Sequence, residues 1–233
     1  MVEQFGWFIV IPLNKKIMKR ILIVSAALLA FASCNDAAKT SDEAGEVKAA
    51  TAEATTMNID KALSVVKWEG AKMTESVHSG TVDISEGSFS VKNGTLEAGT
   101  FTLDLKSIKN SDIADTAMRA KLIGHLKSAD FFLTDSFPTA RFDVTAVAAG
   151  SVADSATITG NLTIKGITNG VTFPAKLSVS DSTVDASARI TINRNEWGII
   201  WGGTKTEKSI KDYLQNNLIK DEITFDVNLK GIK

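Results

Sequence analysis

Three consecutive runs, residues 157–165, 171–179 and 184–193, alternate apolar and polar side chains with a period of two. In the first, Ile158, Leu162 and Ile164 share a side with Gly160, while Thr157, Thr159, Asn161, Thr163 and Lys165 take the other. In the second, Val171, Phe173, Ala175, Leu177 and Val179 share a face. In the third, Val184, Ala186, Ala188, Ile190 and Ile192 do, opposed by Asp185, Ser187, Arg189, Thr191 and Asn193. Successive side chains of a strand project to opposite faces, so this period calls for a sheet with one buried and one wetted face. Antiparallel sheets take that arrangement, whereas parallel sheets buried on both sides carry continuous apolar runs. The intervening residues 166–170 and 181–182 are short enough to be hairpin loops. The three runs are read as an antiparallel meander whose apolar faces look into one interior. What fills that interior is then the question of function.

The same period extends to both sides. Val66 and Trp68 mark a strand over 62–70, residues 79–84 a second, and Phe89 with Val91 a third over 88–92. Asn93-Gly94 is a strong hairpin signal, because a type I′ turn needs positive φ at both central positions. Residues 95–107 place Phe101, Leu103 and Leu105 inward and Thr102, Asp104 and Lys106 outward. Phe142 and Val144 alternate in 140–147, and Ile223, Phe225, Val227 and Leu229 in 222–230. Twice the period becomes helical. Residues 112–126 carry Met118, Leu122, Ile123 and Leu126, with Asp112 or Asp115 as the cap. Residues 206–219 form a looser pattern through Ile210, Tyr213, Leu214 and Leu218. Eight or nine strands and two helical inserts need no second core. Closing the sheet removes the edges that invite aggregation. The expected fold is all-β: an eight-stranded antiparallel β-barrel with one or two short helical inserts, spanning 57–233. Eight strands leave an interior that side chains fill or that holds one small ligand.

Ahead of the barrel the chain reads as an export segment. Met18-Lys19-Arg20 is basic and Ile21–Phe31 apolar, the layout of a secretory signal over 1–33. The apolar stretch is shorter than the ~20 residues of a membrane span. Met18 begins that layout by itself, so residues 1–17 are read as an upstream extension. Phe31-Ala32-Ser33-Cys34 resembles a bacterial lipobox, with Phe31 where leucine is usual. That resemblance implies lipidation of Cys34, attachment to a membrane, and residence in the periplasm at the outer membrane. The alternative is a plain secretory signal that ends near a cysteine. Residues 35–56 are rich in Ala, Thr, Ser, Glu, Asp and Lys without an aromatic residue, and are expected to be a disordered tether.

Composition narrows the functional classes. The 26 basic and 27 acidic residues nearly cancel, leaving no electrostatic footprint for nucleic acid. Cys34 is the sole cysteine, so no intramolecular disulfide forms. His78 and His125, the two histidines, are too few for a usual histidine-based metal site, and no cofactor is expected beyond a bound lipid. No GxSxG, HExxH, P-loop or GxGxxG occurs. Carboxylates fall mostly on outward faces beside Thr and Lys, as on a solvated surface, and a hydrolase is the least supported reading.

Several segments together are familiar. Gly124-His125-Leu126-Lys127-Ser128-Ala129-Asp130-Phe131-Phe132, followed by Phe137-Pro138-Thr139-Ala140-Arg141-Phe142, resembles a signature stretch of the YceI-like family. Residues 160–168 with Val171-Thr172-Phe173-Pro174-Ala175 resemble its hairpin, and residues 192–199, Ile-Asn-Arg-Asn-Glu-Trp-Gly-Ile, a later segment. The similarity runs from about Met57 to Lys233 in family order. Phe137 stands where tyrosine is usual, and residues 200–220 are longer than in the plainest members. The resemblance implies a lipocalin-like barrel whose lumen holds an isoprenoid or other long lipid at the cell envelope, and a binding rather than an enzymatic role. A structural or stress-related envelope protein with a solid barrel is the alternative. Pairing of two barrels into a dimer stays open.

The candidate ligand wall follows from the inward positions: Trp68, Phe89, Phe101 and Leu103 from the first strands, then Phe131, Phe142, Ile164 and Phe173, then Ile190 and Phe225. Trp197 and Trp201, among Gly198, Gly202 and Gly203, form either a lipid-facing lip or packing under a loop. His125 either locks the turn that follows it or contacts a headgroup, and Asp130 is expected to cap that turn through its own backbone. Phe131 and Phe132 are core plugs or ligand contacts. Arg194 meets an anionic headgroup in bidentate fashion, or pairs with Glu196 or Asp130. His78 is read as a surface or rim residue.

Overall fold

The computed structural model describes residues 42–74, 76–203 and 218–233. The export segment, Cys34, the start of the expected tether and residues 204–217, with most of the second expected helix, lie outside these.

Nine strands follow the alternating pattern: β1 (Thr55–Ile59), β2 (Val65–Lys72), β3 (Val77–Lys92), β4 (Thr95–Asn110), β5 (Thr139–Ala149), β6 (Ser155–Ile164), β7 (Ile167–Val179), β8 (Thr183–Asn193) and β9 (Ile219–Ile232). All described pairings are antiparallel. The order β3-β2-β9-β8-β7-β6-β5-β4 returns to β3 through the β3–β4 pairing, so the sheet closes into an eight-stranded barrel. β1 shares the place of β2. Both lie between β3 and β9, β2 against residues 77–82 of β3 and β1 against Ser88–Val91, so together they make one interrupted strand.

One helix, α1 (Thr116–Lys127), lies between β4 and β5. Of the two candidate caps, Asp115 takes the role, its carboxylate accepting from the Met118 amide at 2.8 Å. Asp112 is occupied elsewhere. It accepts from the Ser79 amide (2.8 Å) and Asn110 Nδ2 (2.6 Å) and lies 2.7 Å from His78 Nδ1, fixing the entry to α1 against β3. Burial pushes its carboxyl up, but these bonds outweigh burial and hold it below the usual carboxylate range.

The two ends of the barrel differ. At one end the turns are short: Asn93-Gly94 joins β3 to β4 with φ of 50° and 72°, as the type I′ reading requires, and residues 180–182 join β7 to β8. At this end β1 completes the wall between β3 and β9, and Met57, Ile59, Phe89, Val91, Leu96 and Val184 are buried together. At the other end come the β2–β3 connection, the long connection through α1, the β6–β7 turn and the β8–β9 connection.

Three expectations change in the structure. The strands expected over 79–84 and 88–92 are one continuous β3, which turns around the barrel through register shifts near Asp83 and Glu86. The five-residue β6–β7 loop is a two-residue turn, Lys165-Gly166, with φ of 51° and 73°; Ile167–Gly170 belong to β7. The stretch expected to be a disordered tether makes specific bonds from Asp42 onward. Asp42 bridges to Gly170, Asn161 takes both the amide (2.9 Å) and the carbonyl (2.7 Å) of Gly45, and the last two residues belong to β1. Composition missed this because the partners are backbone groups and polar side chains, Asn161 and Glu97, not apolar side chains.

The outward faces behave as the pattern implied. Cross-strand Thr159–Thr172, Thr163–Thr168 and Thr191–Thr224 hydroxyls pair at 2.8–3.1 Å. Lys109–Asp83, Arg189–Asp226 and Lys230–Asp185 bridge neighbouring strands at the exposed surface, where such pairs add little stability.

Candidate functional site

The inward side chains do not meet in the middle everywhere. A cavity of about 650 Å³ occupies the end of the barrel away from β1. Its walls are apolar: Val66, Trp68, Val82, Leu103, Leu105, Ile108, Ala140, Leu162, Ile164, Val171, Ile190, Ile223 and Phe225 among others. Its top is formed by Ile113, Met118, Leu122, His125 and Leu126 around α1, with Phe131, Phe132 and Trp201. No residue of α1 is fully buried. The helix lies over a hollow, and its Met118–Leu122–Leu126 stripe meets open space where a packed core would otherwise stand.

Below this cavity is a void of about 50 Å³, also apolar-walled, lined by Phe89, Leu96, Phe173, Ala175, Ala186 and Leu229 among others. Phe101, Phe142, Ile190 and Val227 line both spaces and so separate them. The Phe142 ring lies between those of Phe101 and Phe173, with centroids 5.4 and 5.7 Å apart. It lies over the neighbouring β6 because Gly160 has no side chain: a Cβ there would stand well inside van der Waals contact of the ring. Gly70 is the opposite case. It lines the large cavity, and a Cβ on it would meet nothing within 4 Å.

Polar groups reach the cavity only near its mouth, where Lys72, His78, Lys121, His125 and Arg194 appear among its lining. His125 Nε2 lies 3.2 Å from Asp130 Oδ2. The His125 ring stands edge-on to Trp201 (4.3 Å between centroids) and Phe131 (5.0 Å). It therefore fastens the turn and faces the cavity at once. Asp130 does not cap that turn through its own backbone. The Ser128 hydroxyl does, donating to the His125 carbonyl at 2.8 Å and accepting from the Asp130 amide at 3.3 Å. The Asp130 carboxylate is turned to His125 instead.

Arg194 differs from both expectations. It is 0% exposed and donates to four backbone carbonyls, those of Ile199 (2.6 Å), Trp201 (2.9 Å), Lys220 (3.0 Å) and Ile219 (3.3 Å), with Asp221 at 3.8 Å. It borders the cavity, but its donors are spent on carbonyls on both sides of residues 204–217, so it clamps the β8–β9 connection and offers no fork to a headgroup. Burial pushes the guanidinium below its usual range, against the pull of Asp221 and Glu222. Trp197 is likewise structural: 0% exposed, its Nε1 donates to the Leu162 carbonyl at 2.9 Å. Trp201 stands at the mouth, 37% exposed.

Of the wall expected from sequence, Trp68, Phe101, Leu103, Phe131, Phe142, Ile164, Ile190, Trp201 and Phe225 border the large cavity, as does His125. Phe89 and Phe173 border the small void, and Trp197 neither. Sequence reasoning missed Gly70, Ile113, Lys121 and Leu122. For Gly70 a signal existed, a glycine at an inward strand position. For the others, an unfilled space under a helix leaves no mark in the periodicity. Large apolar residues exposed on this end include Met73, Val77, Met118, Ile200 and Trp201, a rim around the mouth. Among the described residues, no group of three His, Cys, Asp or Glu side chains could hold a metal ion.

Known proteins share this architecture. The crystal structure of BcnA from Burkholderia cenocepacia superposes with a TM-score of 0.54 at 19% identity, covering 74% of this chain and 98% of that one. A polyisoprenoid binding domain from Saccharophagus degradans, implicated in plant cell wall breakdown, does so at 0.54 and 14%, covering 75% and 97%. By sequence, a UPF0312 protein of Pseudomonas putida strain W619 is 28% identical over 174 residues, 72% of this chain and 80% of its own length. The YceI-like domain matches residues 57–231, most of the chain, so the chain belongs to the YceI-like family.

Proposed function

We propose that the protein binds a long apolar lipid of isoprenoid type in the large cavity, with the tail inside the barrel and the polar end at the mouth. The observation that carries this reading is the 650 Å³ hollow whose polar lining is confined to one end. Such volumes are typical of sites that enclose a small ligand. An apolar void of this size strips its walls of contacts, which a ligand restores. Burying apolar surface contributes about 25 cal/mol per Å². A chain that fills the hollow therefore gains enough to outweigh the ordering of its own torsions. The exposed apolar rim would ease passage of a lipid from a bilayer, and the polyisoprenoid-binding neighbour supports the ligand class.

The protein is read as a carrier or reservoir and not as an enzyme. The secretory-signal layout of residues 1–33 and the lipobox-like Cys34 support a periplasmic protein held to a membrane by an acylated cysteine; two or more buried acyl chains anchor stably. The test is native mass spectrometry of the full chain purified without detergent. A co-purifying prenyl or acyl lipid of defined mass is expected. A mass equal to the polypeptide alone, with no uptake from prenyl or acyl lipids supplied in vesicles, would overturn the proposal. The rival of a wholly solid barrel applies only to the β1 end, where the void is about 50 Å³.

A further inference from the structure

We infer that the Phe101–Phe142 partition is a length stop, and that the barrel takes an apolar tail of about five isoprene units. This deepens the lipid-binding reading above and rests on it. Four observations carry it. Phe101, Phe142, Ile190 and Val227 form a floor shared by the two spaces, so a tail entering at the mouth ends against them. The floor is built and not incidental, because Gly160 on the neighbouring strand leaves room for the Phe142 ring to lie over it, between the two spaces. The space below is too small, about 50 Å³, to continue a chain by more than a carbon or two. All charged lining lies at the other end, beside Lys72, Lys121 and His125, which orients the tail terminus toward the floor.

The length follows from volume. An apolar cavity of about 150 Å³ accepts the six carbons of benzene. At that density the 650 Å³ above the floor holds roughly 26 carbons, about five isoprene units. Each unit up to that length removes new apolar surface from water. A longer tail must leave its excess outside the mouth, where it gains little. Affinity should therefore rise with length and then level.

The experiment is competition among prenyl alcohols of two to eight isoprene units for the full-length protein, with occupancy read by native mass spectrometry. In the wild type, occupancy rises on the order of tenfold or more per unit and levels at about five units. Gly70→Leu adds four carbons to a wall position with open space in front of it and moves the levelling point down by about one unit. Phe101→Leu thins the floor and moves it up. The two variants act from opposite ends, and circular dichroism identifies folded samples, so either alone decides should the other fail to fold. Levelling at the same length in the wild type and in a folded variant, or a rise that continues to eight units in the wild type, would overturn the stop while leaving lipid binding intact. Failure to bind any prenyl alcohol would remove the lipid-binding reading itself, and the stop with it.

Discussion

The two ends of this barrel are made from the same alternating strands, yet one is solid and the other hollow. At the β1 end, β1 completes the wall and glycines let large side chains close up: Gly87 makes room for Ile59, and Gly231 for Phe89. At the mouth, the β4–β5 connection is long, the helix it carries buries no residue completely, and the glycine at the wall, Gly70, faces empty space. The lesson is that glycine at an inward strand position has two opposite meanings. It either seats a neighbour's ring or leaves a volume for something that is not part of the chain.

The comparison can be broken most sharply by paired truncations. Phe89→Ala at the solid end should destabilise by about 3–5 kcal/mol, because packed neighbours cannot follow the lost ring. Phe131→Ala at the mouth should cost about 2 kcal/mol or less in the lipid-free protein, since that ring already borders open space. Equal losses in urea unfolding would mean the hollow is packed in solution. A smaller effect separates the two glycines. Gly160→Ala pushes a methyl group into the Phe142 ring and should cost about 1–3 kcal/mol. Gly70→Leu should leave stability within about 0.5 kcal/mol or raise it by up to about 1, through lost chain entropy in the unfolded state. Matching Tm losses for both would refute the distinction.

The smallest effect concerns pH at the mouth. The Asp112 carboxyl is held below its ordinary range in the folded protein. Its contribution is therefore present above the unfolded pKa of about 3.9 and is lost as pH falls through the lower folded value. Acidification from about pH 5 to pH 3 should lower the Tm of the wild type more than that of Asp112→Asn. At the solid end the Glu97 carboxylate is also held below its ordinary range, by the Thr51 hydroxyl and amide, but these bonds lie at the exposed surface and Thr51 lies outside the strands, so a hydrogen-exchange map over the same range should show β3 loosening at Ser79 before it loosens at Phe89. Uniform loosening would count against a locally fastened mouth.

The strands and their inward faces were legible because a pleated strand forces side chains to alternate, and one wet face fixes which set is buried. The Asn93-Gly94 turn was legible because its backbone demands positive φ. The turn-locking reading of His125 holds, with Asp130 as its partner, whereas Arg194 borders the cavity but spends its donors on carbonyls. A strand pattern gives its face, not whether backbone carbonyls converge on it from residues 25 or 26 positions away. Of the two readings of Trp197, packing under a loop is the one that its burial and its Nε1 bond to the Leu162 carbonyl fit.

The sequence by itself determined an antiparallel barrel with an apolar interior and a helical insert over one end, because periodicity, turn chemistry and capping are local and leave local marks. The tertiary structure alone decided how much of that interior is empty. Whether inward side chains meet depends on rings contributed by distant strands, on which glycines sit beneath them, and on how far a helix stands off, and volume left over is a property of all of these at once.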